Sequence, residues 1–162
     1  VYRSGQRQSE IQMDEAQTAC VAFDIEAVPF DAQSPDDLPK AADFFKKHKV
    51  DAVYLGSDTA VAGASEKQLQ KLVTSFPTLC ALDSTIQKGG LIGRIADWEK
   101  ICNDAATLSL KVLEGTSIAQ LPIIRNPAAR TVINAKTAKK LKIKLKKEFL
   151  AKAAKVYDGK SD

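Results

Sequence analysis

Short apolar runs alternate along this chain with longer amphipathic ones, and a few polar residues separate each pair. That alternation leaves few folds open. A strand, a helix and a second strand close as a right-handed parallel unit, and several units in series build one open sheet covered by helices. The pattern therefore predicts an α/β fold with an open parallel sheet flanked by helices.

The segments follow in order. Val1-Tyr2 reads as the end of a first strand and Arg3 to Gln8 as a polar loop containing Gly5. Ser9 is placed as the N-cap of a helix from Glu10 to about Ala22, with Gln12 completing a capping box and Met13, Ala16 and Cys20 on one face. Ile25 to Phe30 reads as a second strand, and Asp31 to Pro35 as turn chemistry. Asp36 or Asp37 caps a helix to about His48, with Ala41, Phe44 and Phe45 as its buried stripe. Val50 to Leu55 suits a strand covered on both faces. Gly56-Ser57-Asp58-Thr59 leads into a helix ending near Phe76, and Thr78 to Leu82 is a fourth strand. Asp83-Ser84-Thr85 opens a polar turn, and Gly89-Gly90 precedes a short strand, Leu91 to Ile95. A longer helix covers about Trp98 to Leu113 and stops at Gly115, a residue suited to a left-handed cap. Pro122 and Pro127 break the connection that follows. Arg130 to Ile133 is the last strand, and Ala135 to Leu141 and Glu148 to Val156 are short terminal helices.

In open α/β sheets the ligand lies beyond the carboxyl ends of the strands. That rule selects Arg3 to Ser9, Asp31 to Asp36, Gly56 to Thr59 and Asp83 to Lys88, all rich in hydroxyls, amides and carboxylates. Within them the candidate ligand-binding residues are Ser9, Ser57, Asp58, Thr59 and Asp83. Hydroxyls at a strand end and helix start can hold a polar ligand group, and a carboxylate at Asp83 can accept from a ligand ammonium. Ser, Asp and Thr are also preferred helix caps, so plain capping competes at each position.

Composition and motifs remove other classes. With 44% hydrophobic and 27% charged residues among 162, the chain has the make-up of a soluble globular domain with a real core. The net charge of +4 lies largely in Lys136 to Lys147. That run lacks Arg and aromatics, so it reads as a solvated helix face and no nucleic-acid partner is expected. Cys20, Cys80 and Cys102 are too widely spaced for a metal site and read as buried apolar thiols. His48, the single histidine, sits among lysines at a helix C-terminus, remote from the strand ends, so no Ser-His-Asp arrangement can be assembled. Gly89-Gly90-x-x-Gly93 precedes a strand and not a helix, which fails the dinucleotide context, and no phosphate-binding loop motif occurs. Neither catalysis, a cofactor nor a metal is expected.

Several stretches, in their order and spacing, also carry a family resemblance. They are Val50-Asp51-Ala52-Val53-Tyr54-Leu55-Gly56-Ser57-Asp58-Thr59, Cys80-Ala81-Leu82-Asp83, and Lys111-Val112-Leu113-Glu114-Gly115. Leu121-Pro122 and Val132-Ile133-Asn134 with Thr137-Ala138-Lys139-Lys140-Leu141 follow. Nearly the whole chain resembles the second half of ABC-transporter substrate-binding proteins of the periplasmic-binding-protein type I superfamily, especially the tryptophan/aromatic-amino-acid-binding-like group. Two segments depart from that pattern: Ile92 to Trp98 replaces a more aromatic Gly-rich stretch, and Lys142 to Lys146 stands where Gly-Ile-Pro is usual.

The resemblance implies a two-lobed, non-enzymatic protein that closes on a small molecule, such as an amino acid, and delivers it to an ABC permease in the membrane. It implies a periplasmic or extracytoplasmic location, with lipid anchoring left open. By position it supports Ser9, Ser57, Asp58, Thr59 and Asp83 as cleft-facing. It divides the chain into a ligand-binding lobe over residues 1–95, a crossover helix and linker over 96–127 that pack on a first lobe, and a returning strand with C-terminal helices over 128–162. Without a first lobe, the stripe Ile101, Ala105, Leu108 and Val112 must either fold back or pair in a homodimer. The same fold also serves ligand-sensing regulatory domains, which is the alternative reading; a small α/β enzyme is a third.

Overall fold

The computed structural model describes residues 1–124 and 129–158. Helix α1 (Arg7–Ala22) is followed by a short 3₁₀ turn, Pro35–Asp37, and α2 (Leu38–Lys47). Strand β1 (Val53–Leu55), α3 (Thr59–Ala62), α4 (Glu66–Ser75), β2 (Thr78–Cys80), α5 (Asp83–Gln87) and β3 (Ile92–Ala96) come next. Helix α6 (Trp98–Leu113), a 3₁₀ turn at Ile118–Gln120, β4 (Ala129–Asn134), α7 (Ala135–Lys140), α8 (Lys147–Ala151) and β5 (Lys155–Tyr157) complete the order. The five strands form one sheet in the order β1-β2-β3-β4-β5.

The sheet is open and helix-flanked, as the pattern predicts, but it is mixed. β1, β2 and β3 run parallel, whereas β3 and β4 pair antiparallel with Gly93 opposite Val132. A parallel crossover needs a connection packed back on the sheet face. The chain between β3 and β4 contains α6, which has no buried residue and so provides no such packing. The returning strand joins the β3 edge in the opposite sense.

The core lies between the sheet and the α2–α4 layer. Helix α2 packs on α4, and Leu38, Ala41, Phe45, Leu55, Leu69, Leu72 and Ile86 are almost wholly buried. Each of the larger side chains contributes roughly 1.5–3 kcal/mol by leaving water. Phe45 meets Phe76 edge-on with ring centroids 6.3 Å apart, and Phe30 closes the end of the cluster against Phe44 at 5.3 Å. The stripe expected on α2 is therefore present.

Four local readings change. Helix α1 starts two residues before Ser9, because Gly5 turns the chain at φ +75° and its N–H is taken by Glu10 Oε1 at 2.8 Å. Ser9 is consequently inside the helix, and Gln12 is free to point elsewhere. The second strand expected at Ile25 to Phe30 does not form a ladder; only the neighbouring Tyr2 and Asp31 make an isolated parallel bridge. Pro29 lacks an N–H, Glu26 adds a charge, and Asp24 turns the entry at φ +55°. Neither Asp36 nor Asp37 makes a side-chain cap on α2; Ser34 and Asp37 form a capping box on the 3₁₀ turn in front of it. The long helix expected after Thr59 is broken after Ala62, and a second capping box, Ser65 with Gln68, starts α4.

The C-terminal region departs further. Glu148 to Val156 is not one helix: α8 ends at Ala151 and Val156 belongs to β5. Ala154 N–H reaches the Thr131 carbonyl at 2.9 Å, so the free edge of β4 captures the segment, and β-branched Val156 suits it. Helix α6 has the expected bounds, and Gly115 adopts φ +96°. Pro127 falls outside the described residues. Of the three thiols only Cys80 is buried; Cys20 is half-buried and Cys102, on the uncovered α6, is exposed.

Candidate ligand-binding site

Three polar loops meet at the carboxyl end of the sheet. The register pairs Leu55 with Cys80, so the loops that leave β1 and β2 emerge side by side. The segment after Tyr2 joins them, because Val1 N donates to the Tyr54 carbonyl at 2.8 Å.

Ser57 and Thr59 are knitted to the α1 entrance. Gln12 Nε2 donates to Ser57 Oγ at 2.7 Å, and Ser57 N–H returns to Gln12 Oε1 at 3.2 Å. Gln8 Nε2 reaches the same hydroxyl at 3.3 Å. Thr59 N–H donates to Gln6 Oε1 at 3.3 Å, and the Arg3 guanidinium donates to the Thr59 hydroxyl. Ser57 is half-buried and Thr59 exposed, so both remain within reach of a solute.

Ser9 and Asp58 sit deeper. Ser9 is 3% exposed, and its hydroxyl accepts from Arg3 N–H at 2.8 Å. Asp58, 2% exposed, caps α3 by accepting from Val61 N–H at 3.0 Å through Oδ1, while Oδ2 has no hydrogen-bond partner. Gly56 permits this approach: a Cβ there would stand 3.1 Å from Gln12 Oε1 and 3.5 Å from Asp58 Oδ2.

The third loop is ordered around Asp31. Ser4 donates to this carboxylate through its N–H at 3.0 Å and its hydroxyl at 2.5 Å, and Gln33 adds a bond at 2.7 Å. Desolvation by its neighbours pushes the exposed Asp31 carboxyl up, but the bonds from Ser4 and Gln33 outweigh it and hold the group below its usual value.

Asp83 begins α5 and is held from a different direction. Tyr157 Oη donates to Oδ1 at 3.1 Å, and Lys155 Nζ lies 3.8 Å from Oδ2. The structure brings Ser9, Ser57, Asp58 and Thr59 together around the loop after β1 and places Asp83 at the neighbouring strand end. Arg3, Gln6 and Gln8 were selected only as part of the Arg3 to Ser9 loop, and Gln12, Lys155 and Tyr157 lie outside the selected segments. Gln8 and Gln12 are one helical turn apart, a signal that was available. Lys155 and Tyr157 show the two-residue spacing of one strand face, hidden by the helical reading of that stretch.

Away from these loops, His48 is exposed; its Nδ1 lies 2.8 Å from the Phe44 carbonyl and its ring stacks 4.1 Å from that of Phe44. A cavity of about 570 Å³ runs under α1, lined by Met13, Ala16, Cys20, Val28, Phe45 and Tyr54, and one end reaches Gln12 and Gly56.

Known proteins resemble the chain in sequence and in fold. A "Tyrosine-binding protein" of Clostridioides difficile strain R20291 is 23% identical over 143 residues, 87% of this chain and 41% of that protein. Two solved structures share the fold over 96% of this chain and 52% of theirs. One is an ABC domain from Streptococcus pneumonia in complex with L-Trp (22% identity, TM-score 0.76). The other is a ligand-free, open substrate-binding protein with adhesive properties from Clostridium difficile (19%, TM-score 0.80). The chain thus spans about half the length of the relatives it matches. The family model for ABC transporter substrate binding proteins matches residues 1–157, nearly the whole chain, and the chain belongs to that family.

Proposed function

We propose that this chain forms one lobe of a solute-binding protein that takes up a zwitterionic small molecule, an amino acid with an aromatic or apolar side chain, and delivers it to an ABC permease. The observation that carries the ligand class is the placing of opposite charges at one end of one sheet. The Arg3 guanidinium stands with Thr59 beyond β1, and the Asp83 carboxylate stands beyond β2. Arg matches a carboxylate with paired donors, and a carboxylate accepts from an ammonium. Ser57 and Thr59 add hydroxyls, while the buried Ser9 and Asp58 fix the loops. Relatives named for tyrosine binding and solved with L-Trp support the amino-acid class.

Binding occurs without turnover, and the protein works outside the cytoplasm, as its family's role in uptake implies. Helix α6 and the linker after it pack on a first lobe, with residues 1–95 as the ligand-binding unit and 128–162 returning to it; that α6 buries none of its residues supports this division. Calorimetry of the full-length protein against the common amino acids tests the reading. One or a few aromatic or apolar amino acids bind, and Asp83→Ala weakens them by roughly 1.5–3 kcal/mol through loss of a charged hydrogen bond. Arg3→Ala weakens them similarly. Unchanged affinity in the Asp83 variant removes that residue from the site, and silence across the panel rejects the ligand class.

A further inference from the structure

We propose that Lys155 is a built-in competitor for the ligand's ammonium group: strand β5 presents its own amine to Asp83, and the incoming amine displaces it. This inference rests on the reading of Asp83 as the ammonium acceptor. Lys155 and Tyr157 lie two residues apart on β5, so their side chains leave the strand on one face. Both converge on the same carboxylate, Tyr157 Oη at 3.1 Å from Oδ1 and Lys155 Nζ at 3.8 Å from Oδ2. An ionised carboxylate only accepts, and Asp83 accepts from a hydroxyl and faces a cation, both from its own chain.

The geometry makes the cation displaceable. At 3.8 Å the pair is at the outer limit of an ion pair, and the Lys155 and Asp83 side chains are 47% and 36% exposed. A pair of that kind is weakly held and screened by salt. A shorter, buried pair would block the site. Tyr157, by contrast, keeps its hydroxyl bond and orients the carboxylate. Its ring also gives Lys155 a second resting place, because Nζ already lies 4.4 Å from the ring centroid. A cation over an aromatic face keeps part of its stabilisation when it leaves the carboxylate. Displacement is thus a short shift of one ammonium from carboxylate to ring.

The arrangement has a consequence for selectivity. A ligand without an amine leaves Lys155 where it is and gains nothing from Asp83. A ligand with one replaces the distant Lys155 ammonium at Asp83 by a better placed one. Lys155 therefore lowers the affinity for amines and narrows their advantage over ligands that lack one.

The test uses the full-length protein and four probes: L-tyrosine, L-tryptophan and their deaminated counterparts, 3-(4-hydroxyphenyl)propanoate and 3-(indol-3-yl)propanoate. Lys155→Met tightens the amino acid that binds by about three- to tenfold, and the gain shrinks at high salt. Lys155→Arg, which keeps the cation, stays near wild type. Neither variant binds the deaminated acids more tightly. If the amino acid binds, Asp83→Ala weakens it and Lys155→Met leaves it unchanged or weaker, the competitor inference fails while the site stands. If neither amino acid binds any variant, or if Asp83→Ala has no effect, the reading beneath it fails and takes the inference with it.

Discussion

Helices α4 and α6 have nearly opposite fates. Helix α4 has 10 residues and buries Leu69, Leu72 and Val73; α6 has 16 and buries none. Helix α1, also 16 residues long, buries only Ser9 and stands over the 570 Å³ cavity. Length and helical propensity are thus poor guides to where this chain stores its stability. What separates the helices is the surface beneath them. Helix α4 has α2 on one flank and the sheet below, whereas α6 leaves the sheet and leaves Leu110 and Leu113 exposed at 58% and 82%.

The sharpest way to break this contrast is to attack the α4 side. Leu72→Ala removes a side chain with no exposure, and cavity formation there costs about 2–5 kcal/mol. Gly93→Ala is expected to be at least as severe. A Cβ at that position would lie 2.2 Å from the Cys80 carbonyl oxygen, a strand backbone atom that cannot swing aside, and 2.9 Å from the Cδ1 atoms of Ile86 and Ile95. Urea denaturation of each variant measures the effect. A loss under about 1 kcal/mol for Leu72→Ala would mean that the core is not where the packing puts it.

Helix α1 offers a test in which the sign decides. Ala16 lines the cavity, so Ala16→Phe fills empty space and raises stability by about 0.5–2 kcal/mol, as cavity-filling changes commonly do. Were α1 seated directly on the sheet, the same change would overpack it and cost about 1–3 kcal/mol. Thiol labelling sharpens the same point. Burial pushes the Cys80 thiol up to about 12, so it carries no thiolate at neutral pH and stays unmodified in the folded protein. Cys102, exposed on α6, reacts first, and Cys20, on the cavity wall, reacts next. In Ala16→Phe, Cys20 slows and Cys102 does not.

The two regions also differ in how far the sequence disclosed them. The α2 stripe of Ala41, Phe44 and Phe45, the bounds of α6 and the loop at Ser57 were legible because each depends on local period or local turn chemistry, whereas Asp83, read as opening a turn, opens α5. The failures share another cause. Ile25 to Phe30 has strand-like composition, yet pairing is a property of two segments, and only the Tyr2–Asp31 bridge forms beside it. Val156 reads as helical beside Ala153 and Ala154 until the open edge of β4 is there to recruit it. The β3–β4 sense was misread for the same reason: a connection whose helix buries no residue carries little handedness signal. At the site, hydroxyls and carboxylates were found at strand ends by rule. Their partners Gln12 and Tyr157 were not, because contacts across 45 and 74 residues leave no local trace.

The smallest expected effect is the most direct probe of α6. Leu110 is 58% exposed, so Leu110→Ala removes little buried surface, and Ala is at least as good a helix former. In the 162-residue chain this change should therefore shift unfolding stability by less than about 0.5 kcal/mol, against several for Leu72→Ala. The comparison holds only if nothing covers the helix in solution. If two copies bury the face against each other, removing Leu110 costs more, and the unfolding midpoint rises with protein concentration, because association stabilises the folded state by mass action. Denaturation at two concentrations a hundredfold apart separates the cases. A midpoint independent of concentration, with Leu110→Ala close to wild type, leaves α6 uncovered in this chain. A shift above about 1 kcal/mol that grows with concentration would show the contrast between α4 and α6 to be one of partner and not of stability.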